Sequence, residues 1–500
     1  MDIPSPLLDR MRELKDLSGV IGLATWDQET YLPLKAARAR AEQLGTLQAV
    51  HHQRLTDGAL GEWLAKAQAS PLSEDARAAV RVLTWERDRA VKVPERLVRA
   101  LAEAQSEGVG AWRAAREENR FARFAPALGR LLTLRREQAD ALGHGGERYD
   151  ALLENFEPGM RVARLTPVLA ALRERLTPLV RSCAAAEAAR APDPFAGKRF
   201  PADAQWTFSL RLLADMGFDL EAGRQDRSIH PFTGGTHPTD VRLTTRVDEA
   251  DPFSTWSSTV HEGGHGLYEQ GFAEADHRTP LAAAPSMGLH ESQSRLWENC
   301  VGRGRAFWAH YAPALRELFP DALGGVDAEA LYRAVNRVRP SLIRVEADEV
   351  TYNLHIVLRY ELELALLSGD LPLAELPGAW NGKMKALLGI EPPDDTRGVL
   401  QDIHWAWGEL GYFPTYALGN LYAATLYRAA REAVPGLEEG FRRGEFRPLT
   451  RWLRENIHRP GFRTYAEDRV RSATGRGLND EDFLSYLRGK YADLYRVSLN

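Results

Sequence analysis

Cysteine is nearly absent: Cys183 and Cys300 are the only two in 500 residues. So small a supply excludes a disulfide framework and any dependence on an oxidising compartment. Long apolar runs are missing as well. No stretch approaches the ~18 residues that a membrane span needs, so no membrane partner is expected. The opening residues, MDIPSPLLDRMRELKD, lack the short apolar core behind a basic start that marks a secretory signal, and a cytoplasmic location is the expectation. Nor does one sign of charge dominate. The 64 basic and 69 acidic residues give a net charge of −5, with Arg interleaved among Glu and Asp instead of gathered in a block. That patterning makes solvated helix faces, and it omits the basic stripe that nucleic acid requires.

What is present is a globular composition, 44% hydrophobic and 27% charged. The length exceeds the roughly 250–300 residues that one core usually serves. Two lobes of one continuous body are therefore expected, more than two independent domains. Apolar residues recur at three- and four-residue intervals over 6–20, 34–54, 59–69, 74–90, 94–120 and 125–143. The same helical pattern returns at 166–189, 202–216, 327–337, 342–368, 420–433 and 481–494. Ser73-Glu-Asp-Ala reads as a helix start, and Thr166-Pro167 as another with Pro at the first helical position. The Ala-rich run from Cys183 to Pro192 reads as a helix end and linker. One segment departs from the helical rule. Asp240 to Val247 is β-branched and alternates in polarity, with Val241, Leu243, Thr245 and Val247 on one face and Asp240, Arg242, Thr244 and Arg246 on the other. It predicts a strand, and an edge strand there can pair with an extended peptide.

Shortly after this strand comes His261-Glu262-Gly263-Gly264-His265, within a helical pattern from Ser254 to Gly271. Histidines four apart share one helix face and can hold one ion; Glu262, about 100° round the helix, can reach a water on it. Zinc suits such a set, since it takes imidazole nitrogen and carboxylate oxygen and leaves a position open. The third ligand has to come from elsewhere. Glu291, 26 residues beyond His265, is the choice from the segment His290–Glu298. Glu298, two turns later on nearly the same face, competes; it is otherwise placed behind the ligands. His290 is a further alternative, whereas Glu269 lies a turn too far along its own helix. Two glycines inside the motif each cost about 1 kcal/mol in helix propensity, which predicts close approach of a packed helix or of substrate backbone.

Several segments together resemble the carboxypeptidase Taq family of metallocarboxypeptidases. They are WDQETYLP at 26–33, EPG at 157–159, DVRLT at 240–244, HEGGH at 261–265, HESQ at 290–293, IRVEAD at 343–348, GVLQDIHW at 398–405 and GYFPTYALGNLYAA at 411–424. The resemblance implies a mainly α, saddle-shaped, two-lobed body around a central groove, with a small antiparallel β element beside the active-site helix. It implies one catalytic domain over 1–500, with a metal-binding core at about 238–300 and groove segments at about 340–425, and a homodimer. It also implies removal of single residues from the free C-terminus of peptides with broad side-chain tolerance. His261, His265 and Glu291 are then the ligands of Zn2+, with Co2+ as a substitute, and Glu262 is the general base.

Within those motifs, His404, Tyr412 and Tyr416 are candidate donors to the oxyanion. A free C-terminal carboxylate calls for a guanidinium, which binds it through two parallel hydrogen bonds. Arg344 is the first choice, and Arg242 on the polar face of the strand is the second, or closes the groove end. Glu346, Asp348 and Asp402 are expected to orient His and Arg side chains. A zinc endopeptidase or oligopeptidase of similar fold is the nearest rival. A non-catalytic metal-binding protein is a third reading, opposed by an intact Glu262.

Overall fold

The structure is a computed structural model describing residues 2–187 and 193–496. It is 68% helical, with one three-stranded sheet among the described residues. Local chemistry sets several helix starts. Ser73 accepts from the Ala76 amide at the head of Glu74–Lys92. Asp251 accepts from the Ser254 amide, with Pro252 at the first position, at the head of Pro252–Glu269. Ser286 does the same for Leu289 in Met287–Arg295. Each satisfies an amide that the first turn leaves without a partner.

Three starts differ from the sequence reading. The helix expected over 420–433 already begins at Pro414. The helix expected from Thr166-Pro167 begins earlier, spanning Val162–Glu187 with Pro167 inside it. Its Val162 amide is bonded at 2.6 Å to Asp150, twelve residues away, a cap no local pattern announces. The helix expected over 342–368 spans only Tyr352–Ser368. Ahead of it, Arg344–Glu346 form a 3₁₀ turn, and Asp348 accepts from the amides of Val350 and Thr351, holding the chain out of helical register. Of the helix end and linker expected from Cys183 to Pro192, residues 183–187 close the helix Val162–Glu187 and 188–192 lie outside the described residues.

The sheet contains β1 (Gly223–Arg227), β2 (Thr233–His237) and β3 (Asp240–Thr245), ordered β1-β3-β2. β3 is the strand predicted from Asp240, and its facing is as predicted: Val241 and Leu243 are buried. It is central, not an edge. It pairs antiparallel with β2 and parallel with β1, so the sheet is mixed and β3 has no free side for a peptide. The helix Ser5–Thr30 packs on β2 so closely that a Cβ on Gly19 would stand 2.5 Å from the Thr236 carbonyl oxygen.

Apolar burial falls into two clusters. A small one joins Leu7, Met11, Leu60, Leu64 and Leu83 of the N-terminal helices, with Leu281. The large one runs from Trp112 to Tyr495. At its centre, Met287–Arg295 is sandwiched between Pro252–Glu269 and Pro414–Ala433. Glycines permit this. A Cβ on Gly264 would stand 2.6 Å from the Gln293 carbonyl oxygen and 2.7 Å from Ser294 Cα; one on Gly419 would stand 2.5 Å from Glu291 Cγ. Gly263 faces Leu213 and Met216 of Ala202–Met216 in the same way. The glycines of the His-Glu-Gly-Gly-His segment therefore serve helix packing, not substrate approach. Gly264→Ala is expected to lose about 1–3 kcal/mol by overpacking, outweighing its gain of about 1 kcal/mol in helix propensity. Gly378→Ala, where a Cβ meets nothing within 4 Å, should instead be neutral or stabilising. Urea denaturation of the two variants checks the opposite signs.

Candidate metal centre and substrate groove

His261 and His265 project from one face of Pro252–Glu269, with ring centroids 5.0 Å apart. Glu291 enters from the neighbouring helix across the Gly264 contact. Its Oε2 lies 3.2 Å from His265 Nε2 and 3.6 Å from His261 Nε2. One donor atom from each of the three residues lies within 4.8 Å of the others, close enough for one ion. Met287–Arg295 continues into a π-helical stretch, Leu296–Gly302. There the wider turn brings Glu298 behind the first histidine, with Oε2 2.8 Å from His261 Nδ1. A carboxylate accepting from Nδ1–H leaves the Nε2 lone pair facing Glu291 and His265, the tautomer a metal requires. The donor set therefore fits a divalent ion.

Arg295 ties the two carboxylates together. Its Nε donates to Glu291 Oε1 at 2.7 Å and its Nη1 to Glu298 Oε2 at 3.4 Å. Burial opposes ionisation of both acids, but Arg295 and the histidines outweigh it and hold each carboxyl below its ordinary range. Burial likewise pushes His265 down to about 4, helped by the neighbouring His290. His290 is engaged elsewhere. Its ring stacks on His265 at 4.5 Å, and its Nε2 is bonded to Glu269 at 2.8 Å.

Glu262 is buried beside the centre. Thr233 Oγ1 of β2 donates to its Oε2 at 2.6 Å, leaving Oε1 free. Burial raises its pKa above the ordinary carboxylate value, against the opposing pull of His261. The sheet next to the helix thus positions the acid.

Tyr412, Tyr416, His404 and Arg344 form a second contacting group. Tyr416 is one turn from Gly419, which touches Glu291; its ring packs 5.3 Å from that of Tyr412 and its hydroxyl is 3.3 Å from His404 Nε2. Burial pushes His404 down to about 3, so it is neutral at ordinary pH. Burial also raises both phenols, which stay protonated. Arg344 lies over Tyr416 at 5.0 Å and is bonded to Asp402 and Tyr352.

The sequence of residues 6–491 matches the family described as carboxypeptidase Taq (M32) metallopeptidase. The chain belongs to this family. It is 46% identical to thermostable carboxypeptidase 1 of Thermus thermophilus, over 98% of each chain. Its fold is similar to that of the M32 carboxypeptidase from Deinococcus radiodurans R1, with TM-score 0.96, 42% identity, and 99% of each chain covered. Trypanosoma cruzi metallocarboxypeptidase 1 superposes with TM-score 0.93 at 32% identity, again over 99% of each chain. The enzyme is accordingly a metallocarboxypeptidase of mainly α fold.

Within this M32 chain the predicted residues divide. His261, His265 and Glu291 cluster with Glu262 beside them, and His404, Tyr412, Tyr416 and Arg344 form a second group joined to them through Tyr352 and Arg295. Arg242 stands apart, on the face of β3 opposite Leu243, paired with Asp240 at 2.9 and 3.1 Å and lying 4.3 Å over Trp26. It borders an open cavity of about 780 Å³ with Leu23, Trp26 and Leu47. Asp402 orients Arg344 and Arg359 as expected. Asp348 bonds backbone amides instead, and Glu346 is exposed, so neither orients a His or Arg side chain of the site. Thr233, Arg295 and Tyr352 were not anticipated; only Arg295, four residues after Glu291 on one helix, carried a local signal. Glu298→Gln keeps an acceptor for His261 but removes its charge. Metal affinity is expected to fall about 10–100-fold, measured by competition with a chromophoric chelator.

Proposed function

We propose that the enzyme removes single amino acids from the free C-terminus of peptides, with broad side-chain tolerance. His261, His265 and Glu291 hold Zn2+, which Co2+ can replace, since imidazole and carboxylate accept either. The observation that carries this reading is the clustered donor set, joined through Arg295 and Tyr352 to the guanidinium of Arg344. A bound ion supplies Lewis-acid polarisation of the scissile carbonyl and lowers the pKa of a water toward ~7.

Glu262 takes the proton from the attacking water at its free Oε1 and passes it to the leaving amine. Its raised pKa brings it nearer to working pH, which favours both transfers. His404, Tyr412 and Tyr416 are the neutral donors available to the oxyanion. Arg344 receives the substrate carboxylate. Arg242, held by Asp240 against Trp26, serves as a groove-end contact. The reading extends to a homodimer and to one catalytic unit over residues 1–500, supported by the family resemblance and the single large apolar cluster. A chain with only two cysteines supports a cytoplasmic setting.

An unblocked peptide followed by mass spectrometry should lose residues one at a time from its C-terminus, and a chelator should stop the loss. Its amidated counterpart should persist; internal cleavage of that peptide would establish an endopeptidase instead. Glu262→Gln should retain metal while kcat falls about 10²–10⁴-fold.

A further inference from the structure

Arg344 presents a definite hydrogen-bonding remainder. Its Nε donates to Asp402 Oδ1 at 3.0 Å, its Nη2 is 2.9 Å from the same carboxylate, and its Nη1 donates to the Tyr352 hydroxyl at 2.9 Å. Of the five guanidinium donors, those contacts occupy three. One N–H on each Nη is left, and two such donors match the parallel acceptors of a carboxylate. Asp402 cannot turn away to release more, because its Oδ2 accepts from the buried Arg359 at 2.7 Å.

Tyr352 does a second thing. The face of its ring lies 4.4 Å from the guanidinium of Arg295, which clamps Glu291 and Glu298. One buried aromatic side chain at the head of Tyr352–Ser368 thus touches the carboxylate fork with its hydroxyl and the metal-ligand clamp with its ring. Tyr416 packs on it edge-on at 6.2 Å, restricting it further.

We propose that Tyr352 is a positioning residue that sets the interval between the C-terminal anchor and the metal ligands, and so selects the last peptide bond. This rests on Arg344 as the anchor. An extended residue spans only about 3.3–3.6 Å, so a fork free to shift by that much would present the second-last bond. A flexible side chain between the two arginines would allow such a shift. A phenol held at both ends does not.

Tyr352→Phe keeps the ring over Arg295 and releases Nη1, so it tests the interval without removing the packing. The probes are an N-benzoyl amino acid and its amide as inhibitors, with an unblocked peptide as substrate. The acid's Ki should rise about tenfold, because Arg344 loses one of the hydrogen bonds that aim it, while the amide's Ki stays within about twofold. Dipeptides should appear among the products, and chelator-competition metal affinity should be unchanged. A purely structural role would alter neither acid-to-amide selectivity nor product length. Arg344→Met serves as the reference. If it abolishes the acid-to-amide selectivity while Tyr352→Phe leaves both selectivity and products unaltered, the spacer role is overturned and the anchor stands. If Arg344→Met leaves the selectivity intact, the anchor reading falls and the spacer falls with it.

Discussion

Arg295 sits between Glu291 and Glu298 in the interior, and the metal centre depends on that one guanidinium. Two carboxylates brought from water into a protein interior each cost several kcal/mol in lost solvation, and here a third, Glu262, lies close by. Arg295 offsets the first two directly, and Arg303, 3.7 Å from Glu298 Oε1, adds to it. The result is a pair of acids that remain ionised at depth. One of them can then serve as a ligand, while the other fixes the tautomer of His261. Removing the guanidinium would leave anions without compensation in the space where an ion has to fit.

That clamp is useful only if the helices that bear its parts stay close together. Gly264 and Gly419 lie on opposite sides of Met287–Arg295, and each allows a neighbouring helix to come into backbone-level contact. The histidines reach Glu291 because Gly264 is on the same helix as they are. Gly419 lets the third helix in against Glu291, and Tyr416 lies one turn from it. Helix propensity is sacrificed at these points, and the return is a donor set assembled from two helices, backed by a third, with little freedom to spread.

How much of this a sequence can disclose follows from the range of the interaction. The helical periods, the Ser73 cap, the alternation of β3 and the i,i+4 histidines are local, and each was legible. Glu291 was legible because a second acidic helical segment follows at a short distance. Thr233 was not: it reaches Glu262 across a β-to-helix contact spanning 29 positions. The central place of β3 depends on β1, whose Gly-Arg-Gln-Asp-Arg sequence has little strand character. The true start of Val162–Glu187 depends on Asp150, and the shortened helix at Tyr352 depends on Asp348 binding amides instead of a histidine. Arg242 could be assigned to a face from its alternation, but not to the far side of the sheet from the metal helix, because that requires knowing which face the helix covers.

The two arginines proposed for substrate differ in a way that alternation and motif membership do not reveal. Arg242 has both carboxylate oxygens of Asp240 and the face of Trp26 as partners, at the border of a wide apolar cavity. Arg344 has an acid partner too, and it is held from both edges, by Asp402 at Nε and Nη2 and by Tyr352 at Nη1. Both keep N–H groups for a carboxylate, so placement separates them where charge alone does not: Arg242 lies on the face of β3 away from the metal helix, whereas Arg344 is joined through Tyr352 to Arg295 and Glu291. The same geometry accounts for the rigidity around Arg344: a fork aimed by Asp402, Arg359 and Tyr352 loses little freedom on meeting substrate. Less of the binding free energy is then lost in ordering the site, and more is available to hold the last peptide bond against the centre.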